Sequence, residues 1–275
     1  MLPVTPFLAG VTLAVSVLAG SLGAMLGIGG GVFLVPFLVL GVGMPFHEAA
    51  AISLAAVIGT SSAVSAATAG RAVINLRLGM VLEVATAAGG LAGGLTAQLL
   101  APATLQLTFA AVAASVAVIM ATRPEVTPLP ATADPGALGG QYTDTTTGAS
   151  VTYRVQRLPI GLVASFLAGN LSTLLGIGGG IIKVPALVTW CGIPMRVAAA
   201  TSAFMIGVTA TSGAVIYYGH GDLSPALAAA AVVGTHLGST VGLRLSVRTR
   251  PRRLRLLLAA VLVVVAVLMI VRSLA

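Results

Sequence analysis

Two copies of one phrase, "LGIGGGVFLVP" at Leu26–Pro36 and "LGIGGGIIKVP" at Leu175–Pro185, lie 149 residues apart inside long apolar runs. Each glycine costs a helix roughly 1 kcal/mol relative to alanine, so three together interrupt it. Composition places that interruption in a bilayer. Of 275 residues, 57% are hydrophobic and 7% charged, against about 25% charged in a soluble domain. Several runs exceed the roughly 20 residues that cross a membrane as a helix. The expected fold is therefore an all-α polytopic membrane protein, multi-pass in the cell (cytoplasmic) membrane. "MLPVTPFLAG" has no basic region, so a span rather than a cleaved signal peptide is expected at the start.

Apolar runs cover Phe7–Leu40, Ala49–Ala69, Leu76–Leu100 and Thr104–Ala121. After a polar stretch they resume at Leu158–Trp190, Val197–Tyr218, Pro225–Leu245 and Leu254–Val271. The second set repeats the first. At the same offset Pro36 matches Pro185, Gly43 and Pro45 match Gly192 and Pro194, "AAAIS" (Ala49–Ser53) matches "AAATS" (Ala198–Ser202), and Gly70 matches Gly219. Gly90 and Gly94 pair with Gly238 and Gly242 at an offset of 148. Three regions are expected: a first transmembrane repeat (1–121), a polar insertion (122–157) and a second repeat (158–275). The insertion's "QYTDTTTGASVTYRV" has the alternation of a β-hairpin; a simple linker is favoured over a cap.

Arginine placement bears on orientation. Arg71 and Arg77 flank the loop between the second and third runs, while the equivalent Gly219–Leu223 has no Lys or Arg. Conversely, Ala101–Ala103 is uncharged and its counterpart holds six arginines between Arg244 and Arg255. Opposite loops are basic, which predicts inverted repeats by the positive-inside rule. Each GIGGG run then folds as a hairpin beside three spanning helices, with the insertion cytoplasmic and both termini outside. The arginine cluster reads as a topology anchor at anionic headgroups, so nucleic acid is not an expected partner. Cys191 is the lone cysteine, which excludes an intramolecular disulfide and a multi-Cys metal site; no metal and no cofactor are expected.

Broken helices can serve a site. Interrupted backbone at membrane depth is tolerated where protein buries it or where it lines a wet cavity. Helix N-termini attract anions through free amides and partial positive charge. Gly27, Gly29, Gly30 and Gly31, with Gly176, Gly178, Gly179 and Gly180, are thus candidates for an anion cradle; tight packing alone is the competing reading. Lys183, the sole lysine, would add charge, unless it snorkels from a helix end. Asn170, Ser53, Thr201 and Ser202 would add neutral donors, with Ser21 and Thr173 nearby. Two further ionisable groups lie within spans, Glu83 and His236, as candidate proton relays. Glu83 could instead pair with Arg77, and His236 could make an interhelical hydrogen bond. His47, Glu48, His220 and Asp222 are expected in solvated loops.

At these residues the chain resembles the sulfite exporter TauE/SafE family of membrane permeases. The signature is the duplicated "GIGGG…P" followed by "G-x-P…A…TS", here Gly176–Pro185, Gly192–Pro194 and Ala198–Ser202. The resemblance implies movement of sulfur-containing anions such as sulfite, sulfonates or related organic anions, commonly outward and without an ATP-binding module. No P-loop sequence occurs in the chain. The expected function is a secondary transporter of small anions, with the bilayer and an anionic substrate as partners and a homodimer left open. Alternatives are a proton-coupled anion importer, a cation carrier, and a non-transporting scaffold; an enzyme is not expected, since neither a nucleophile–base pairing nor H-E-x-x-H is present.

Overall fold

A computed structural model describes residues 5–68, 73–122, 134–143, 148–248 and 251–274. Arg71, Gly70, Arg123 and Arg250, on which part of the repeat and charge readings rest, lie outside the described residues. Among the described residues the chain is helical apart from one small hairpin. Its helices are α1 (Pro6–Leu26), α2 (Gly31–Pro36, continued by a π-helical turn at Phe37–Gly41), α3 (Phe46–Thr68), α4 (Leu76–Ala97) and α5 (Pro102–Thr122). The second series is α6 (Leu158–Leu175), α7 (Gly180–Thr189), α8 (Met195–Gly219), α9 (Pro225–Arg248) and α10 (Pro251–Leu274). Among the described residues seven helices are long and apolar enough to cross a membrane: α1, α3, α4, α5, α6, α8 and α9. The chain is an all-α polytopic membrane protein.

Local chemistry sets the ends. Thr5 caps α1 through Leu8 N–H and Pro6 occupies its first turn, where a missing donor costs nothing. Both α1 and α6 stop at a glycine with left-handed backbone, Gly27 (φ 70°) and Gly176 (φ 72°). That conformation suits glycine and strains other residues. The helices that follow are short. Gly31–Gly41 and Gly180–Thr189 are each about 16 Å long or less at 1.5 Å per residue, half of a roughly 30 Å hydrocarbon core. The GIGGG loops accordingly lie within the protein, against the middles of long helices: a Cβ on Gly29 would meet Ile206 and Val57, and one on Gly178 would meet Val57.

Glycines set the helix contacts too. α1 packs on α9 and α6 on α4, while α3 crosses α8 and α5 lies against α10. In the first pair a Cβ on Gly238 would strike the Val17 backbone, and one on Gly242 the Ser21 backbone. In the second pair Gly89 meets the Phe166 backbone and Gly93 that of Asn170. Close approach of this kind is how small residues hold membrane helices together. Val17 and Phe166, like Ser21 and Asn170, are 149 residues apart. The structural partners of Gly238 and Gly242 are therefore Gly89 and Gly93, which corrects the expected pairing with Gly90 and Gly94. Runs of paired glycines made either register plausible from sequence; only backbone contact separates them.

The equivalent helices α3 and α8 run antiparallel. Gly213 faces Leu54, whereas Gly207 faces Ser61, whose hydroxyl donates to the Phe204 carbonyl at 3.0 Å. α3 is the most enclosed of these spanning helices, and its residues anchor the main core with Leu26, Ile28, Leu175 and Ile177.

The insertion does more than join the halves. Strands β1 (Gly140–Thr143) and β2 (Ser150–Tyr153) pair antiparallel, Gly140 opposite Tyr153. The three threonines of the expected turn, 145–147, lie outside the described residues. Tyr142 and Tyr153 join a second core with Leu78, Leu82, Leu187 and Ile193, and Gln156 N–H donates to the Cys191 carbonyl at 3.0 Å. It therefore caps the α4 and α7–α8 end rather than acting as a bare linker. His47 also departs from expectation: it sits in the first turn of α3, its Nε2 3.0 Å from the Ala97 carbonyl.

Candidate functional site

The two glycine loops meet. A Cβ on Gly31 would lie 2.7 Å from the Gly176 carbonyl oxygen, and one on Gly180 would lie 2.6 Å from that of Gly27. The contacts are reciprocal, each loop pressing on the other. Gly27 also abuts Ala199 of α8, as Gly176 abuts Ala50 of α3, each with Cα at 2.5 Å from an added Cβ. Gly27, Gly29, Gly30, Gly31, Gly176, Gly178, Gly179 and Gly180 are all buried. The close approach of two backbones explains the last glycine of each triple, Gly31 and Gly180, whereas Gly29, Gly178 and Gly179 take left-handed backbone (φ 76°, 81° and 69°) that suits glycine. Ser53 adds a clasp, its hydroxyl donating to the Gly176 carbonyl at 2.6 Å.

Beside this crossing lies a buried ion pair. Lys183, in the first turn of α7, is 1% exposed and among the largest fully buried side chains. Its Nζ is 3.5 Å from Glu83 Oε2 of α4 and donates to Thr209 Oγ1 of α8 at 3.2 Å. The Thr209 hydroxyl in turn donates to Glu83 Oε1 at 2.8 Å. Three helices thus contribute one group each to a closed triad. An isolated buried ammonium would be costly; pairing with the Glu83 carboxylate and donating to Thr209 offset part of that cost. Glu83 turns to Lys183, so the alternative pairing with Arg77, an exposed residue on the first turn of α4, is not the one observed. Lys183 points inward and does not snorkel.

The other candidates distribute around this centre with different duties. Thr201 accepts from the Asn75 backbone N–H at 3.0 Å, which ties α8 to the start of α4. Ser202, one residue on, is fully buried and its hydroxyl has no partner among the described residues. The hydroxyl of Thr173 is likewise buried without one among those residues. Asn170 lies in the α4–α6 seam, its backbone against Gly93. His236 is exposed on α9, with Nδ1 3.2 Å from Ser62 Oγ of α3. It stands apart from the Lys183 triad.

Two participants escaped sequence reasoning. Thr209 carries no local signal, since it is 26 residues from Lys183 and one of many hydroxyls in apolar helices. Asn75 did carry one: Asn immediately before an apolar periodic run marks a helix start. Its side chain accepts from Leu78 N–H at 3.0 Å and donates to the Leu138 carbonyl at 2.7 Å and to Tyr153 Oη at 3.1 Å. The insertion is thereby latched to the helix that carries Glu83. Among the described residues no cluster of His, Cys, Asp or Glu could hold a metal ion.

Comparison with known proteins agrees with this architecture. The chain is 24% identical over 262 residues to the probable membrane transporter protein YunE of Bacillus subtilis, covering 93% of this chain and 94% of that one. It is 27% identical over 129 residues to a probable membrane transporter of Methanocaldococcus jannaschii, covering 44% and 48% of the two chains. A 55-residue stretch is 51% identical to the sulfite exporter TauE/SafE family protein 6 of Arabidopsis thaliana, covering 20% of this chain and 13% of the plant protein. No solved structure gives a significant match. The model of one membrane transporter family matches residues 12–269, nearly the whole helical chain, and this protein belongs to that family, the sulfite exporter TauE/SafE family.

Proposed function

We propose that the protein is a secondary carrier of small sulfur-containing or organic anions of the sulfite and sulfonate class, working outward across the cell membrane by alternating access without ATP. The observation that carries this reading is the buried Lys183. An intramembrane cation facing the interior marks a pathway for charge, and this one sits at the start of a broken helix whose end favours anions. Glu83 is its resident counter-ion. A substrate anion takes the place of that carboxylate on Lys183 and Thr209, and the unpartnered Ser202 hydroxyl supplies a further donor. The glycines bring two backbones close enough to frame the site, while Ser53 and Thr201 hold the frame. Asn170 lines the α4–α6 seam, along which the repeats rock against each other. With the cytoplasm negative, one outward-moving negative charge gains roughly 2.3 kcal/mol per 100 mV, so export needs no coupled ion.

Counterflow in liposomes tests the reading. Labelled sulfite or a simple sulfonate exchanges across the membrane with the wild-type chain and fails to exchange with folded Lys183→Ala. Absence of exchange for every small anion with the wild-type chain would leave a scaffold as the better account.

A second reading draws on the same triad. Because Glu83 engages both Lys183 and Thr209, protonation of its carboxyl would free the ammonium, and that links anion binding to proton uptake. Under this reading Glu83→Gln abolishes uphill accumulation while counterflow survives. Unchanged accumulation would refute the proton role.

A further inference from the structure

One flank of α9 is polar where its counterpart is greasy. His236, Thr240 and Arg244 recur every four residues, which places them on one helical face. His236 and Arg244 are exposed and Thr240 is half-buried. Ser62 of α3 is exposed beside them and its hydroxyl hydrogen is committed to the Gly59 carbonyl at 2.9 Å. The 3.2 Å contact with His236 therefore runs from Nδ1–H to Ser62 Oγ, and Nε2 has no partner among the described residues. At the equivalent positions of α4, 149 residues earlier, stand Ala87, Leu91 and Leu95; Leu91 is 51% and Leu95 62% exposed, as suits a surface in lipid. Ser62 itself corresponds to Thr211, whose hydroxyl donates within its own helix to the Gly207 carbonyl at 2.8 Å.

His236 lies at the middle of a spanning helix. An exposed imidazole with a free ring nitrogen is expensive against hydrocarbon, and ionisable groups in spans face the bundle interior or water. None of the chain's six acidic residues lies on α9, so the flank is basic without compensation. We propose that the α3–α9 flank bearing Ser62, His236, Thr240 and Arg244 is a water-filled approach for small anions, reaching from the arginine-rich end of α9 to mid-membrane, present on one side of the molecule only. Arg244 attracts the anion at the mouth, while the free Nε2 of His236 and the oxygens of Thr240, whose hydroxyl donates to the Leu237 carbonyl at 2.7 Å, and Ser62 act as acceptors that hold the water through which the anion moves. The proposal rests on the anion-carrier reading only for what travels; water access is a separate property and can be read without transport.

Substituted cysteines read it directly, since the native Cys191 is buried and the wild-type chain serves as the blank. Ser62→Cys, His236→Cys and Thr240→Cys are introduced singly, with Ala87→Cys and Leu91→Cys as the symmetry-related controls. Each is treated in membrane vesicles of both orientations with two impermeant methanethiosulfonate reagents, one carrying a sulfonate and one a trimethylammonium group. Exposed Ser150→Cys normalises their intrinsic rates. The expected result is labelling at least tenfold faster at the three flank positions than at the controls. The normalised preference for the sulfonate reagent should exceed threefold and fall when Arg244→Gln is added. Three probes on two helices keep the test alive if one variant fails to fold. Flank rates no higher than those of Ala87→Cys would overturn the aqueous approach, as would oxidative cross-linking of His236→Cys into dimers, which would assign the flank to a second copy of the chain. Equal or faster labelling by the cationic reagent would overturn its selectivity for anions.

Discussion

Around the glycine crossing the two broken helices carry different chemistry. On one side Lys183, Glu83 and Thr209 form the ion triad. At the matching positions on the other side stand Leu34, Val232 and Thr60, with Leu34 fully buried and the Thr60 hydroxyl buried without a partner among the described residues. The serines differ likewise: Ser53 clasps the Gly176 carbonyl, whereas its mate Ser202 has no partner. The backbone arrangement is duplicated, and the charges are not. Duplicated glycines build the crossing because both loops must approach each other equally. A second buried ion pair would add a second desolvation cost.

Removing one side of the ion pair should have the largest effect. Glu83→Ala strands the Lys183 ammonium, and breaking such a pair costs about 3–5 kcal/mol, measured as loss of thermal and denaturant stability in detergent. The double variant Glu83→Val with Lys183→Leu copies the other half, and most of that stability should return while counterflow stays absent. A double variant as unstable as the single one would show that the halves differ in packing rather than in charge.

The helix seams offer the next test. An added methyl at Gly93 meets the Asn170 backbone, whereas at Gly94 it meets the flexible tip of Ile216. Gly93→Ala should therefore cost about 2–3 kcal/mol, in the range of overpacking, and Gly94→Ala less. Gly242→Ala should behave like Gly93→Ala, because the Ser21 backbone takes the place of Asn170. Matching thermal shifts at Gly93 and Gly242 support the 149-residue register; matching shifts at Gly94 and Gly242 would support the offset of 148.

Smaller effects separate cap from clasp. Asn75→Ala removes the N-cap of α4 along with its bonds to Leu138 and Tyr153, and should cost about 1–2 kcal/mol. Limited proteolysis of the 134–156 region should quicken at the same time. Ser53→Ala orphans a buried carbonyl at about 1–2 kcal/mol. Ser202→Ala removes a buried hydroxyl without a partner among the described residues and should leave stability unchanged or raise it by about 1 kcal/mol, yet raise the KM for the transported anion. Equal destabilisation by the two serine variants would erase the distinction drawn between the halves.

The fold was legible wherever a local rule governed it. The interruption at GIGGG was read from its glycines alone, and Gly27 and Gly176 end α1 and α6 there in the left-handed backbone that favours glycine. The alternation through Gln141–Thr143 and Val151–Tyr153 announced the hairpin, although nothing local said that its tyrosines would pack on Leu78 and Leu187. The site was half legible. Lys183 stood out because a lone lysine in an apolar run demands a partner, but Glu83 lies 100 residues away from it, and pairing over that distance is decided by how helices cross. Thr209 left no trace for the same reason.

By its own composition and repetition the sequence determined a polytopic helical membrane protein with two interrupted helices, since a chain with so few charges cannot clothe itself in water and three adjacent glycines cannot sustain a helix. Tertiary structure alone decided that the two interruptions touch, that Lys183 meets Glu83 and Thr209, and that Gly93 rather than Gly94 answers Gly242. Those outcomes depend on contacts between distant backbones, and a contact is a property of two surfaces brought together, which no single stretch of residues contains.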